Sequence, residues 1–201
     1  MISTMFLALF AQSAHQHHPP RSAEEYAKIL NDPARDGWQK PHEVVMALNL
    51  KPSDVVADIG AGTGYFARRF AMHAAKVFAV DIDEGLLKLA ADRAPENMVA
   101  LRSTPDDPKL QDASVDLIFI CNVLHHIEGR PAYFAKLAKA LKPGGRIVNI
   151  DFYKKQLPVG PPVEMKLSEE QVIAELDAAG FKKTAAHSFL TYQYFLVFEK
   201  K

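Results

Sequence analysis

From Arg21 onward, short apolar runs alternate with stretches whose apolar residues recur at helical spacing. Ser22–Leu30 and Trp38–Leu48 predict two helices ahead of the first strand. Val55–Ile59 follows the turn Lys51-Pro52-Ser53-Asp54 and is apolar except for Asp58, the pattern of a buried strand. A helix over Tyr65–Met72, a strand over Lys76–Asp81 and a helix over Glu84–Arg93 come next, with Asp83 placed to cap the last of these. Met98–Arg102 and Val115–Ile120 predict two more strands. Arg130-Pro131 opens a helix with proline in its first turn, and Phe134, Leu137, Ala138 and Leu141 give it one buried face. Lys142-Pro143-Gly144-Gly145 stops that helix, and Arg146–Phe152 reads as a strand. The capping box Ser168-Glu169-Glu170-Gln171 starts a helix that runs toward Gly180. Lys183–Leu190 and Tyr192–Glu199 close the chain as two tightly joined strands.

Strands that alternate with helices imply an α/β fold, a mainly parallel sheet covered on both faces, here with an antiparallel pair at one edge. Such sheets bind ligands outside the carboxyl ends of their strands, so the chemistry is expected just after strands one, two and four. The 201 residues suit one domain over residues 21–201. Twenty-four basic residues balance 24 acidic ones, which removes the broad attraction to phosphate backbones that a general nucleic-acid binder needs. Cys121 is the only cysteine, so neither an internal disulfide nor a cysteine cage for a metal is available. Residues 1–20 differ from the rest. Met5–Ala11 is an apolar run of seven, too short for the roughly 20 residues of a membrane span. Small residues follow it at Ala11, Ser13 and Ala14, but no Lys or Arg precedes it. The segment reads either as an export signal or peripheral anchor or as a loose terminus, and His15, His17 and His18 as a solvated stretch.

Asp58-Ile59-Gly60-Ala61-Gly62-Thr63-Gly64-Tyr65 carries the first chemical signal. Glycines at a strand end let the backbone turn tightly and approach a ligand closely. A dinucleotide fingerprint wants Gly or Ala at the sixth position from Gly60, where this chain has Tyr65. Asp58 would repel a pyrophosphate but suits an ammonium or sulfonium group. The loop therefore favours a cationic nucleoside over a dinucleotide. Asp81 ends the second strand 21 residues after Gly60, where a carboxylate can accept both ribose hydroxyls. Ile82 offers an apolar face for a purine.

These residues resemble the first motif (Val55–Gly64) and the second motif (Val80-Asp81-Ile82-Asp83) of the class I S-adenosylmethionine-dependent methyltransferases. Ser114–Phe119 with Asn122-Val123-Leu124-His125-His126-Ile127 is similar to their fourth-strand motif, and Leu141-Lys142-Pro143-Gly144-Gly145 to their turn before strand five. The resemblance implies a Rossmann-like, doubly wound sheet of seven strands in the order 3-2-1-4-5-7-6, with strand seven antiparallel. It implies S-adenosylmethionine as cofactor, its methionine part against Asp58, Gly60, Ala61, Gly62 and Gly64, its ribose on Asp81 and its adenine on Ile82. Asn122 would lie near the methionine end. Where many members carry Gly-Asp after strand three, this chain has Ser103-Thr104. The adenine amino group is left to Asp106 or Asp107, or to backbone atoms, with Asp107 the residue carried forward.

Transfer from a sulfonium needs alignment above all, and a general base only if the acceptor must lose a proton. The candidates for that base are His125 and His126, of which one at most reaches the site. Trp38, Gln39 and Tyr153 are candidates for the acceptor side, Gln39 also for the methionine carboxylate. Cys121 is expected as a packed thiol, and no metal is implied. A small-molecule acceptor is the expected partner, with neither nucleic acid nor an integral membrane segment, and the cofactor's supply points to the cytoplasm. An NAD-dependent oxidoreductase and a non-catalytic cofactor-binding module are the alternatives.

Overall fold

A computed structural model describes residues 22–201. The expectations for residues 1–20, His15, His17 and His18 included, fall outside them. The elements in chain order are α1 (Ala23–Leu30), α2 (Ala34–Gln39), α3 (Pro41–Ala47), β1 (Val55–Ile59), α4 (Ala67–Phe70), β2 (Lys76–Asp81), α5 (Glu84–Ala91), β3 (Met98–Arg102) and β4 (Val115–Cys121). After a short 3-10 turn over Leu124–His126 come α6 (Arg130–Ala140), β5 (Leu141–Phe152), α7 (Glu169–Ala178), β6 (Phe181–His187) and β7 (Gln193–Lys200). The seven strands form one sheet in the order β3-β2-β1-β4-β5-β7-β6. β7 runs antiparallel to both neighbours, and the other pairs are parallel. The expected order is therefore the observed one.

Alternation along β4 sorts its side chains between two cores. Ile118 and Ile120 pack with Phe134 and Leu137 of α6 and Leu176 of α7. Leu117, Phe119 and Cys121 join Val44 of α3, Phe70 of α4 and Ala90 of α5 on the opposite face. There Phe66, Phe70 and Phe119 form an aromatic knot with centroids 4.8–5.8 Å apart. Asp83 caps α5 by accepting the Leu86 N–H. Ser168 accepts the Gln171 N–H, while the Gln171 side chain turns away to Glu175, so only half of that capping box forms.

Four boundaries differ from the sequence reading. The single helix expected over Trp38–Leu48 is two helices, because Pro41 steers the preceding residue out of helical conformation and Lys40 takes a φ of 46°. The expected helix Tyr65–Met72 shrinks to α4, with Tyr65 and Phe66 still in the turn that leaves the glycine loop. β5 starts at Leu141 and runs through the Pro-Gly-Gly turn instead of after it. Its register against β4 slips there, from Val115↔Leu141 to Leu117↔Arg146. The Asp116 carboxylate holds the slip by accepting from the Val55 N–H at 2.8 Å and Lys142 Nζ at 2.7 Å. Finally, β6 and β7 are joined by five residues where a tight turn was expected.

Candidate active site

Residues expected at the site come together at the carboxyl ends of β1, β2 and β4. The glycine loop wraps over the end of β2: Gly60 and Ala61 both donate to the Val80 carbonyl, at 2.7 and 3.0 Å. Gly62 donates to Asp81 Oδ2 at 2.7 Å. These N–H groups are thus spent on the protein rather than turned outward. The missing Cβ atoms matter more. A Cβ on Gly60 would stand 2.2 Å from Val123 Cγ2, and one on Gly62 2.8 Å from Leu30 Cδ1, so α1 lies directly over the loop. Asp81 also accepts the Asp83 N–H at 2.9 Å. Each oxygen thus accepts from the backbone, Gly62 on Oδ2 and Asp83 on Oδ1. Ile82 stands 55% exposed beside it.

Asp58 is buried, and burial pushes its carboxyl up to about 8; the Ala67 backbone N–H and the Arg35 guanidinium pull it down, and Asp81 pushes it further up. Arg35, on α2, caps the loop from above. Its Cζ sits 3.9 Å over the Tyr65 ring, and its terminal nitrogens donate to the Leu30 carbonyl and Gln39 Oε1. Its Nε is buried and has no partner. Tyr65, the bulky residue that argued against a dinucleotide, is the platform for this arginine.

Gln39 and Asn122 are drawn into a closed ring of amides. Gln39 Nε2 donates to Gln193 Oε1 at 2.8 Å, Gln193 Nε2 to Asn122 Oδ1 at 2.5 Å, and Asn122 Nδ2 to Gln39 Oε1 at 3.3 Å. Gln39 and Gln193 are fully buried. Gln39, a candidate for the acceptor side and for the cofactor's carboxylate, holds α2 to the ends of β4 and β7. Gln193→Ala leaves amide groups of Gln39 and Asn122 buried without partners, a loss of about 1–3 kcal/mol. A lowered urea midpoint with unchanged slope is the expected result; an unchanged midpoint would mean the ring carries no energy.

Other candidates stand further out. Asp107 lies in the turn after β3 and is held below the usual carboxylate range, first by the Lys109 backbone N–H, with the Lys109 and Lys136 ammonium groups adding to it. Buried Tyr133 feels both Asp107 and Asp81. Trp38 packs on Phe152 with centroids 5.7 Å apart. Tyr153, half-buried, meets the Tyr194 ring at 6.0 Å. His126 is exposed. His125, by contrast, turns inward: its Nδ1 lies 3.0 and 2.9 Å from the two oxygens of Asp151. Cys121 is a buried thiol pushed up by that burial, the packed role expected of it. Sequence reasoning missed Arg35, Gln193 and Asp151 as site residues. Asp151 had a signal, since like Asp81 it is an acid at the carboxyl end of a buried strand. Among the described residues no cluster of His, Cys, Asp and Glu could hold a metal ion, and no helix is long and apolar enough to cross a membrane.

A partnerless buried arginine nitrogen, a buried acid next to it and a ribose-type acid across a glycine loop fit a ligand that bears carboxylate, ammonium and diol groups. Residues 57–149 match a family model described as a methyltransferase domain. Phosphoethanolamine N-methyltransferase 1 of Arabidopsis thaliana is 33% identical over 64% of this chain and 26% of its own. The demethylmenaquinone methyltransferase of Tropheryma whipplei (strain Twist) is 30% identical over 72% of this chain and 60% of its own. The chain thus spans less than two thirds of either relative. A solved S-adenosylmethionine-dependent methyltransferase from Aquifex aeolicus superposes with a TM-score of 0.82 at 25% identity, covering 89% of this chain and 98% of that one. Motif, topology and likeness agree: the chain belongs to the class I methyltransferases that use S-adenosylmethionine.

Proposed function

We propose that this protein moves the methyl group of S-adenosylmethionine to a small-molecule acceptor. One observation carries the reading: the buried, unpartnered Nε of Arg35 and the buried acid Asp58 stand at one end of the glycine loop, and Asp81 at the other. In this reading Arg35 takes the cofactor's carboxylate and Asp58 its ammonium group. Asp81 takes the ribose hydroxyls, Ile82 the adenine face and Asp107 the adenine amino group. Gly60, Ala61, Gly62 and Gly64 leave room for close approach, and Asn122, fixed by the amide ring, borders the methionine end. The bound sulfonium supplies an activated methyl carbon, so the protein's task is to align an acceptor with it.

The acceptor stands between Trp38, Phe152 and Tyr153, a wall more aromatic than charged. Two relatives are named for demethylmenaquinone and for phosphoethanolamine, both small molecules, which supports that acceptor class. The balanced charge of the chain offers no broad attraction to a nucleic-acid backbone. The cofactor's supply favours the cytoplasm.

Saturating S-adenosylhomocysteine, at about 100 times its dissociation constant, adds roughly 2.7 kcal/mol. The melting temperature is expected to rise by roughly 5–10 °C for a chain of this size. Asp81→Ala removes most of that rise. A shift with NAD and none with S-adenosylhomocysteine would defeat the proposal.

A further inference from the structure

We infer that Asp151 positions His125 as the general base of the transfer, and that the acceptor is a hydroxyl compound still carrying its proton when it binds; this rests on the methyltransferase reading above. Both oxygens of Asp151 face a single nitrogen of His125, at 2.9 and 3.0 Å. The side chains are 2% and 1% exposed. A carboxylate can only accept, so the neutral imidazole carries its proton on Nδ1 and keeps the lone pair on Nε2. Asp151 is fixed in turn, because its Oδ1 also accepts the Phe152 N–H at 2.9 Å. This is the base-and-orienter arrangement that proton abstraction requires.

The surroundings suit the same role. His125 follows Asn122 by three residues on the turn that leaves β4. Asp151 is second to last on β5, next to Phe152, whose ring packs at a tilt against Trp38. From the elements packed around the pair, Tyr194 of β7 stands opposite Asp151 in register. The Lys166 ammonium lies within electrostatic reach of Asp151 while donating to the Lys155 carbonyl. The His126 ring sits 4.2 Å from that of His125. Burial also distinguishes the two histidines: the His125 side chain is enclosed beside Asp151, and His126 is the outer, exposed ring.

In the reaction an acceptor oxygen forms the new O–C bond with its lone pair. The C–S bond breaks, and its electron pair returns to sulfur to give the neutral thioether. The acceptor's proton passes to His125 Nε2, and the resulting imidazolium is paired with the Asp151 carboxylate until water removes the proton. An acceptor that is already ionised needs none of this. The aromatic wall of Trp38 and Phe152 makes phenols the appropriate probes.

The test uses the full chain, methyl-labelled S-adenosylmethionine, and two acceptors at a pH near 8: phenol, which is protonated there, and 4-nitrophenol, which is largely ionised. His125→Gln and Asp151→Asn should each lower turnover of phenol by about 10²–10⁴-fold. Both should lower turnover of 4-nitrophenol by less than about tenfold and keep the melting shift with S-adenosylhomocysteine. Equal losses on the two phenols would reduce the pair to a structural hydrogen bond, and failure of the wild type to methylate either would overturn the acceptor class. A wild type without a melting shift would instead overturn the methyltransferase reading itself. Should a variant fail to fold, the imidazole nitrogen-15 spectrum of the wild type decides: an Nδ1–H tautomer at His125 is expected, and an Nε2–H tautomer refutes the inference.

Discussion

Lowering the pH from 8 to 6 is expected to weaken binding of S-adenosylhomocysteine about fiftyfold, because a carboxyl half ionised at pH 8 is only about 1% ionised at pH 6. The cause is Asp58. Burial raises its carboxyl from 3.8 to about 8, so below that pH the free protein holds it neutral. A cationic amino group at the glycine loop requires it ionised, and binding then expels a proton. Calorimetry in two buffers of different ionisation enthalpy should count one proton released near pH 7. The sign for stability follows from the same shift. The unfolded chain gives up this proton near 3.8 and the folded chain near 8. The stabilisation is therefore complete below the lower value and is lost as the pH rises through the upper one. Asp58→Asn should flatten both profiles. Burial also raises Asp81, but its expected partners are neutral hydroxyls, and the Asp58→Asn profile separates the two acids. An affinity that does not change between pH 6 and 8 in the wild type would remove Asp58 from the site.

The second large effect is steric. Gly60→Ala puts a methyl group 2.2 Å from Val123 Cγ2 at a φ of +71°. Overpacking costs about 1–3 kcal/mol and the left-handed backbone roughly 1–2 more, so about 3 kcal/mol is expected. That corresponds to a fall in melting temperature of roughly 6–12 °C. Gly144→Ala is the control: its φ is +76° and nothing lies within 4 Å of the added carbon, so it bears only the backbone cost of roughly 1–2 kcal/mol. Equal losses at the two sites would show that backbone conformation, and not the contact with Val123, is what Gly60 supplies. Val123 directly follows Asn122, so the wedge is also expected to disturb the amide ring of Gln39, Asn122 and Gln193.

How much of this was legible from sequence varies with range. The strands, the glycine loop, Asp81 and the capping Asp83 announce themselves locally, through apolar runs, turn residues and acids at strand ends, whereas the strand order came only with the family resemblance. Gln193 does not. It lies 71 residues from Asn122 and 154 from Gln39, and no periodicity marks a glutamine that opens a strand as a partner for either. Gln39 was singled out from the sequence, but its bonds to Gln193 and Asn122 were not foreseen, because what a buried amide bonds to is decided by packing. Arg35 is given no role by the sequence, because a buried Nε without a partner shows only in the folded chain. His125 and His126 look equal in the sequence. They separate only when β5 brings Asp151 beside one of them.

The position of β7 between β5 and β6 has a consequence for how the protein is made. β6 leaves the ribosome before β7 and has no strand to pair with until β7 arrives, because β7 alone joins it to the sheet. Until then β5 presents a bare edge, the kind of surface on which nascent chains associate wrongly. The same late strand brings Gln193, so the glycine loop, Asp81 and the histidine pair are all synthesised before the residue that ties α2 to the end of β4. A nascent chain halted short of Gln193 would hold nearly every proposed ligand-binding residue and lack the contact that closes the cap over them.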